Sequence, residues 1–217
     1  MEVFYIEWIA ANEQLGRELD DAREKPAGDI VGLGIITDRV VAHYKSYYEQ
    51  IHLVSNRNVK IVFNPTWLTH LEQDFHWLGG WYPTIFFNIL KKSESSFCNM
   101  QRSAIQVLEA AKLEEERHII MQCMSIREAM ERPDFLISVA RLGMVRNGNS
   151  IRFEQYFLDI VSLSLKFLLK RAEILRVSIF TDLKEILNPL QMVVFLSAIV
   201  DLQLTIRRMG LEVDADI

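Results

Sequence analysis

Two cysteines in 217 residues, Cys98 and Cys123, have neither zinc-ligand nor redox spacing. A disulfide framework is therefore excluded, and both thiols are expected reduced, as in a reducing compartment. There is no basic excess: 24 Lys and Arg stand against 29 Asp and Glu, a net charge of -5. Direct contact with nucleic acid is not expected, because phosphate binding needs clustered cations. No uninterrupted apolar run reaches the roughly 20 residues of a membrane-spanning helix. The longest stretches are Val193 to Val200 and Phe157 to Leu169, the latter broken by Asp159 and Lys166. The opening MEVFYIEWIAANEQ carries acids where a secretory signal carries a basic stretch and an apolar run, so no targeting peptide is read there. A P-loop, a dinucleotide Gly-x-Gly-x-x-Gly and a Gly-x-Ser-x-Gly elbow are all missing, and no residue is assigned a catalytic role. Internal repeats and strand-like alternation are missing as well.

What is there is a globular composition, 50% apolar and 24% charged, in a chain long enough for a core without staples. Phe4, Trp8, Ala11, Leu15 and Leu19 recur at three or four residues and predict a first helix over about two dozen positions. KPAGDIVGLG, residues 25 to 34, reads as a connection, and a second helix is expected from Thr37 to Val54. SNRNVKIVFNP reads as a loop around a short extended piece. Asn64 and Pro65 then have the pattern of an N-cap and first helical residue, with Gly79-Gly80 as the stop and Pro83 opening the next helix. A long helix is expected from Ser103 to Arg132, ended by Pro133. A shorter segment reaches about Gly143, and RNGNS reads as a turn. Two further helices are expected, Arg152 to Leu187 and, after the Asn188-Pro189 cap, a last one stopped by Gly210. The fold class expected is all-α: one domain over residues 1–217, a bundle of about six to eight helices with a long acid-rich central helix.

The densest stretch for chemistry is residues 64 to 90, with three of the four tryptophans and two of the five histidines. On the expected helix, Trp67, Leu68, Leu71, Phe75 and Leu78 form the core stripe, with Glu72 and His76 opposite and His70 on a flank. A metal needs converging ligands; His70 with Asp74 and Glu72 with His76 each offer only a pair, so no metal site is assigned. The run Glu114-Glu115-Glu116-Arg117-His118 contains one Glu-x-x-His and no second, so it reads as a solvated bridging face rather than a di-metal cluster. Trp67, Trp77 and Trp81 are core residues on this reading, and also the candidates for walls of an apolar ligand pocket.

The string FNPTWLTHLEQDFHWLGGWYPTIFFNIL resembles the signature of the plant Delay of Germination domain, which also follows the basic zipper in TGA-type transcription factors. The shared features here are Pro65, Trp67, Leu71, Glu72, the Trp77 to Trp81 corner, Pro83, Phe86 and Phe87. The resemblance extends to FYIEWI at 4 to 9, HYKSYYEQ at 43 to 50 and the 172 to 210 segment with Leu187 to Gln191. It implies an all-helical, non-enzymatic regulator that binds partner proteins in the nucleus, the cytoplasm or both. The processes implied are transcription regulation, or seed dormancy and abscisic-acid signalling. Basic-zipper factors and type 2C phosphatases are the partner classes implied, with Tyr5, Glu7 and Trp8 carried over as the partner-binding residues. No basic zipper precedes the domain here, so any link to DNA runs through another protein. The haem attributed to the founding member is not expected, because Gln203 and Arg207 stand where its two histidines would be. An apolar-ligand sensor and a pollen-aperture factor of the Inaperturate Pollen type stay open as alternatives, as does a homo-oligomer.

Overall fold

Tyr5, Trp8, Asn12, Leu15, Leu19 and Ala22 recur every three or four residues and face inward on α1 (Glu2–Glu24). The buried stripe is turned from the expected one: Ala11 is exposed, Phe4 is half-buried, and Tyr5 and Asn12 take inner positions. The computed structural model describes residues 1–24, 29–132, 137 and 150–216. Among these the fold is all-helical apart from one two-residue-per-strand hairpin.

Helix α2 (Ile30–Arg57) starts inside the stretch read as a connection. Asp29 caps it, accepting from Gly32 N at 2.9 Å. That cap and the burial of Leu33, Ile36 and Val40 outweigh the ~1 kcal/mol propensity cost of each glycine. Residues 25–28 of that stretch lie outside the described residues. The expected extended piece is instead α3 (Val59–Phe63), with Asn58 capping Lys60 N.

Asn64 and Pro65 do not open a helix. Asn64 closes α3, and residues 64–69 are irregular. The short α4 (His70–Asp74) starts from Thr69, whose hydroxyl accepts from Glu72 N while the Glu72 carboxylate accepts from Thr69 N, a reciprocal cap. Beyond it, β1 (His76–Trp77) and β2 (Gly80–Trp81) pair antiparallel, His76 opposite Trp81 and Trp77 opposite Gly80. Leu78 and Gly79 turn the hairpin at φ 45° and 76°, the positive pair of a type I′ turn. Gly79 therefore belongs to a strand-to-strand turn and Gly80 opens β2, so the pair is not a helix stop.

Pro83 opens α5 (Pro83–Lys91) as expected, and a 3-10 turn (Glu94–Ser96) leads to α6 (Asn99–Glu131). The expected segment to Gly143 and the RNGNS turn lie outside the described residues. Helices α7 (Ser150–Ile186) and α8 (Pro189–Ala215) complete the chain. Asn188 and Gln191 cap α8 reciprocally, with Pro189 in its first turn. Gly210 does not stop it, and the helix continues to Ala215. The glycine instead allows α8 to touch α4's cap, since a Cβ there would lie 2.7 Å from Thr69 Cβ.

The centre belongs to α8 rather than to the acid-rich α6. It packs on α1, α2, α4 and α5, burying Met192, Val193, Phe195, Leu196, Ile199 and Val200, while α6 packs mainly along α7. By length and composition α8 could cross a bilayer, contrary to the sequence reading, but half of its most apolar window is buried in the bundle.

Candidate functional site

Helices α1, α4 and α8 meet around one buried carboxylate, Glu72, which is 2% exposed. The cap of α4 turns it inward, where Tyr5 Oη donates to Oε1 at 2.6 Å and Arg207 Nη1 donates to Oε2 at 2.7 Å. Thr69 Oγ1 adds a contact to Oε2 at 3.0 Å, and Gln203 Nε2 donates to Tyr5 Oη at 3.3 Å. Burial pushes the Tyr5 phenol far up, with Glu72's negative charge in the same direction, so it stays a neutral donor. The Arg207 guanidinium also lies over the Tyr5 ring, 5.3 Å from its centroid. The sequence reading placed Glu72 on the outward face of a long helix. Because the helix is short and begins at Thr69, it points in.

A second buried charge fixes the hairpin. Arg176 of α7, wholly buried, donates Nε to Trp81 O at 2.6 Å and Nη2 to Leu78 O at 3.1 Å and to Trp77 O. Its guanidinium lies over Trp77 and Tyr48, 5.2 and 5.4 Å from the ring centroids. Burial pulls its pKa down from the usual guanidinium value. Glu116 is also buried, and it accepts from Thr84 N at 2.9 Å and Thr84 Oγ1 at 2.8 Å, at the start of α5. The charged run on α6 is therefore not wholly a solvated face: Glu114, Arg117 and His118 are exposed, whereas Glu116 is an inter-helix cap.

Of the carried-over residues, only Glu7 is on the surface. Tyr5 is taken up by Glu72. Trp8, 5% exposed, donates Nε1 to His43 O at 3.0 Å and stacks on the His43 ring at 4.6 Å. Both hold α1 to the bundle, with Val3 and Ile6 exposed on its outer side.

The three tryptophan candidates are buried. An enclosed cavity of about 30 Å³ is lined by Tyr5, Trp8, Glu72, His76, Trp81 and Gln203, among others. Trp81 contributes to its wall; Trp67 and Trp77 are core residues that do not line it, and Trp77 stacks on Tyr82. A space of that size takes about one water. His76 has its Nε2 buried without a hydrogen-bond partner among the described residues, and burial, helped by the Arg176 charge, lowers its pKa to about 4. His70 is exposed, 2.8 Å from Asp214. The two histidines serve different surroundings, and among the described residues no group of three or more His, Cys, Asp or Glu is placed to hold a metal.

Residues 13–92 match the family described as DOG1, seed dormancy control. The chain is 25% identical over 210 residues to Protein DOG1-like 4 of Arabidopsis thaliana, covering 95% of its own length and 90% of the relative's. The chain is similar to the DOG1 family over residues 13–92. It is also 22% identical over 167 residues to Protein RESPONSE TO ABA AND SALT 1 of the same plant, 76% of this chain and 72% of that one. It is 27% identical over 112 residues to transcription factor TGA2.3 of Oryza sativa subsp. japonica, 52% of this chain but 34% of that factor. The matched family is described by seed dormancy control, and one of these relatives is named for its response to ABA and salt.

The DOG1 match runs from the second half of α1 to the end of α5, and so holds Glu72 and the hairpin. Their partners Tyr5, Arg176, Gln203 and Arg207 lie outside it. Gln203 and Arg207, at the positions where haem ligands were considered, are bound to Tyr5 and Glu72. Neither side chain is an axial ligand of the kind haem iron takes.

Arg176 and Glu116 were missed as site residues because nothing in their local pattern marks a buried charge. Glu72 did carry a signal, its Thr-x-x-Glu spacing from Thr69.

Proposed function

We propose that this protein is a non-enzymatic regulator of the DOG1 kind that binds other proteins through the outer face of α1. It acts in the nucleus, the cytoplasm or both, in transcription regulation or in dormancy and abscisic-acid signalling. The observation that carries the reading is the division of α1 into two faces. Tyr5 and Trp8 lock the inner face, while Val3 and Ile6 stand 70% and 63% exposed at one helical turn's spacing, with Glu7 one turn beyond Val3. Exposed apolar side chains beside an accessible charge are the usual makings of a partner surface.

The acids that could have served chemistry support the same reading, since Glu72 and Glu116 each have their hydrogen-bonding capacity taken up by backbone and side-chain groups of neighbouring elements. Partner classes to test singly are a TGA-type basic-zipper factor and a type 2C phosphatase. The test is titration of each purified candidate against wild type and Glu7→Ala, with far-UV circular dichroism on both proteins. Weakened binding at unchanged helix content is the expected result; equal binding of every candidate that binds the wild type would remove Glu7 from the site.

A further inference from the structure

Helices α1 and α8 leave a solvent-open groove of about 930 Å³ between them. Ile6 and Ile9 form one side, and Leu204 and Leu211 the other. Ile9 and Leu204 are partly buried against the core, whereas Ile6 and Leu211 are 63% and 51% exposed. On α8 the lining runs Asp201, Leu204, Thr205, Arg208, Leu211, Glu212, Ala215, at offsets of three, four, seven, ten, eleven and fourteen residues from Asp201. These follow one face for four turns, roughly 20 Å at 1.5 Å per residue. A trough of that length and volume suits a row of side chains presented by a rod better than one compact molecule.

The charge along the groove has a sign. Glu13 from α1, with Asp201 and Glu212 from α8, lines it, and none of the three has an ion-pair partner among the described residues. Arg207 also lines it, but its charge is engaged by Glu72. That leaves Arg208 as the one cation of the lining without an ion pair among the described residues, so the free charge there is negative. Partial burial and the neighbouring Asp20 hold the Asp201 carboxyl above its usual range, although Arg23 pulls the other way.

We infer that the α1–α8 groove docks an amphipathic helix of a partner protein, its apolar stripe seated on Ile6, Ile9, Leu204 and Leu211 and its flanks carrying Lys or Arg opposite Glu13, Asp201 and Glu212. About fourteen residues of helix match the length of the lining. Apolar side chains at i, i+3, i+4 and i+7 are the usual anchors of a helix in such a groove, and complementary charge sets orientation and partner choice. An anionic amphiphile, such as a fatty acid, would bring its carboxylate to a negative rim and is disfavoured. The inference rests on the protein-binding reading above, and Ile6 is the residue that the two surfaces share.

The test uses the full chain and two labelled synthetic peptides of about eighteen residues with the same leucine stripe. One carries Lys on its polar face and the other Glu. Fluorescence anisotropy should show binding of the Lys peptide, weakened by added salt and by Leu211→Asp. The pair Glu13→Lys and Glu212→Lys should weaken it by about tenfold or more and strengthen the Glu peptide. Glu128→Lys, an exposed reversal on α6, should leave both unchanged.

Equal binding of the two peptides, or no response to the paired reversal, would overturn the inference. So would the same loss with Glu128→Lys, which would mean attraction to the whole acidic chain. Binding to vesicles of phosphatidylcholine and phosphatidylserine that Leu211→Asp abolishes would make the groove a membrane surface instead. A partner that binds the wild type and depends on Glu7, yet ignores Leu211→Asp, would sink this inference and leave the proposed function standing.

Discussion

Arg207 Nη1 lies 2.7 Å from Glu72 Oε2, joining the last helix to a carboxylate that caps its own short helix. Glu72 is 2% exposed, so the pair is a buried one whose members are costly to separate. Glu72→Ala should cost about 3–5 kcal/mol, because it strands Arg207 and removes the cap of α4 and the acceptor of Tyr5. Urea denaturation of the two proteins checks this. A loss under about 1 kcal/mol would show that water replaces the carboxylate.

Gly210→Ala places a methyl 2.7 Å from Thr69 Cβ. Helix propensity alone would favour alanine by about 1 kcal/mol. The clash should reverse the sign, giving a net loss of about 1–3 kcal/mol, with part recovered in the double variant with Thr69→Gly. A stabilised Gly210→Ala protein would mean that α8 and the Thr69 cap stand further apart.

Those two contacts also show how far the sequence could be read. Amphipathic spacing found α1, the bulk of α2, and α5 to α8, because long helices that bury one face announce their period. It failed over residues 64–81, where Asn64-Pro65 has the pattern of a helix start and apolar residues recur at helical spacing. The deciding groups there are distant: Arg176 takes the carbonyls of Trp77, Leu78 and Trp81 from almost a hundred residues away. The same holds at the candidate site. Motif resemblance pointed to Tyr5, Glu7 and Trp8, but which of them faces out depends on Glu72 and His43, on other helices.

Arg176→Lys keeps the charge but not the fork that reaches three carbonyl oxygens. We expect a loss of about 3 kcal/mol, with a change in the near-UV signal of the hairpin tryptophans at little change in total helix. Near-UV and far-UV circular dichroism on one sample separate the two effects.

Below neutral pH the fold should weaken through His76. Its pKa is about 4 in the folded chain because burial disfavours the cation, whereas an unfolded histidine titrates near 6.5. The unfolded chain therefore takes up the proton first, and stability falls as pH drops from about 6.5 towards 4, then levels for this group. The full effect is of order 3 kcal/mol. Urea midpoints at pH 7.5 and 5 should differ more for wild type than for His76→Gln; equal differences would assign the acid loss elsewhere.

Trp8→Ala removes a buried ring and its bond to His43 O, and should cost about 3–5 kcal/mol. Partner binding should then fall together with helix signal. Lost binding in a Trp8→Ala protein of wild-type stability would put Trp8 in the contact itself.

Affinity capture from the native tissue, with quantitative mass spectrometry, compares the wild-type chain with an Ile6→Asp, Glu7→Ala double variant of matched helix content. If the outer face of α1 is the partner surface, at least one protein enriched by the wild type should fall by about tenfold or more with the variant. Recovery of the same proteins in the same amounts by both would contradict it.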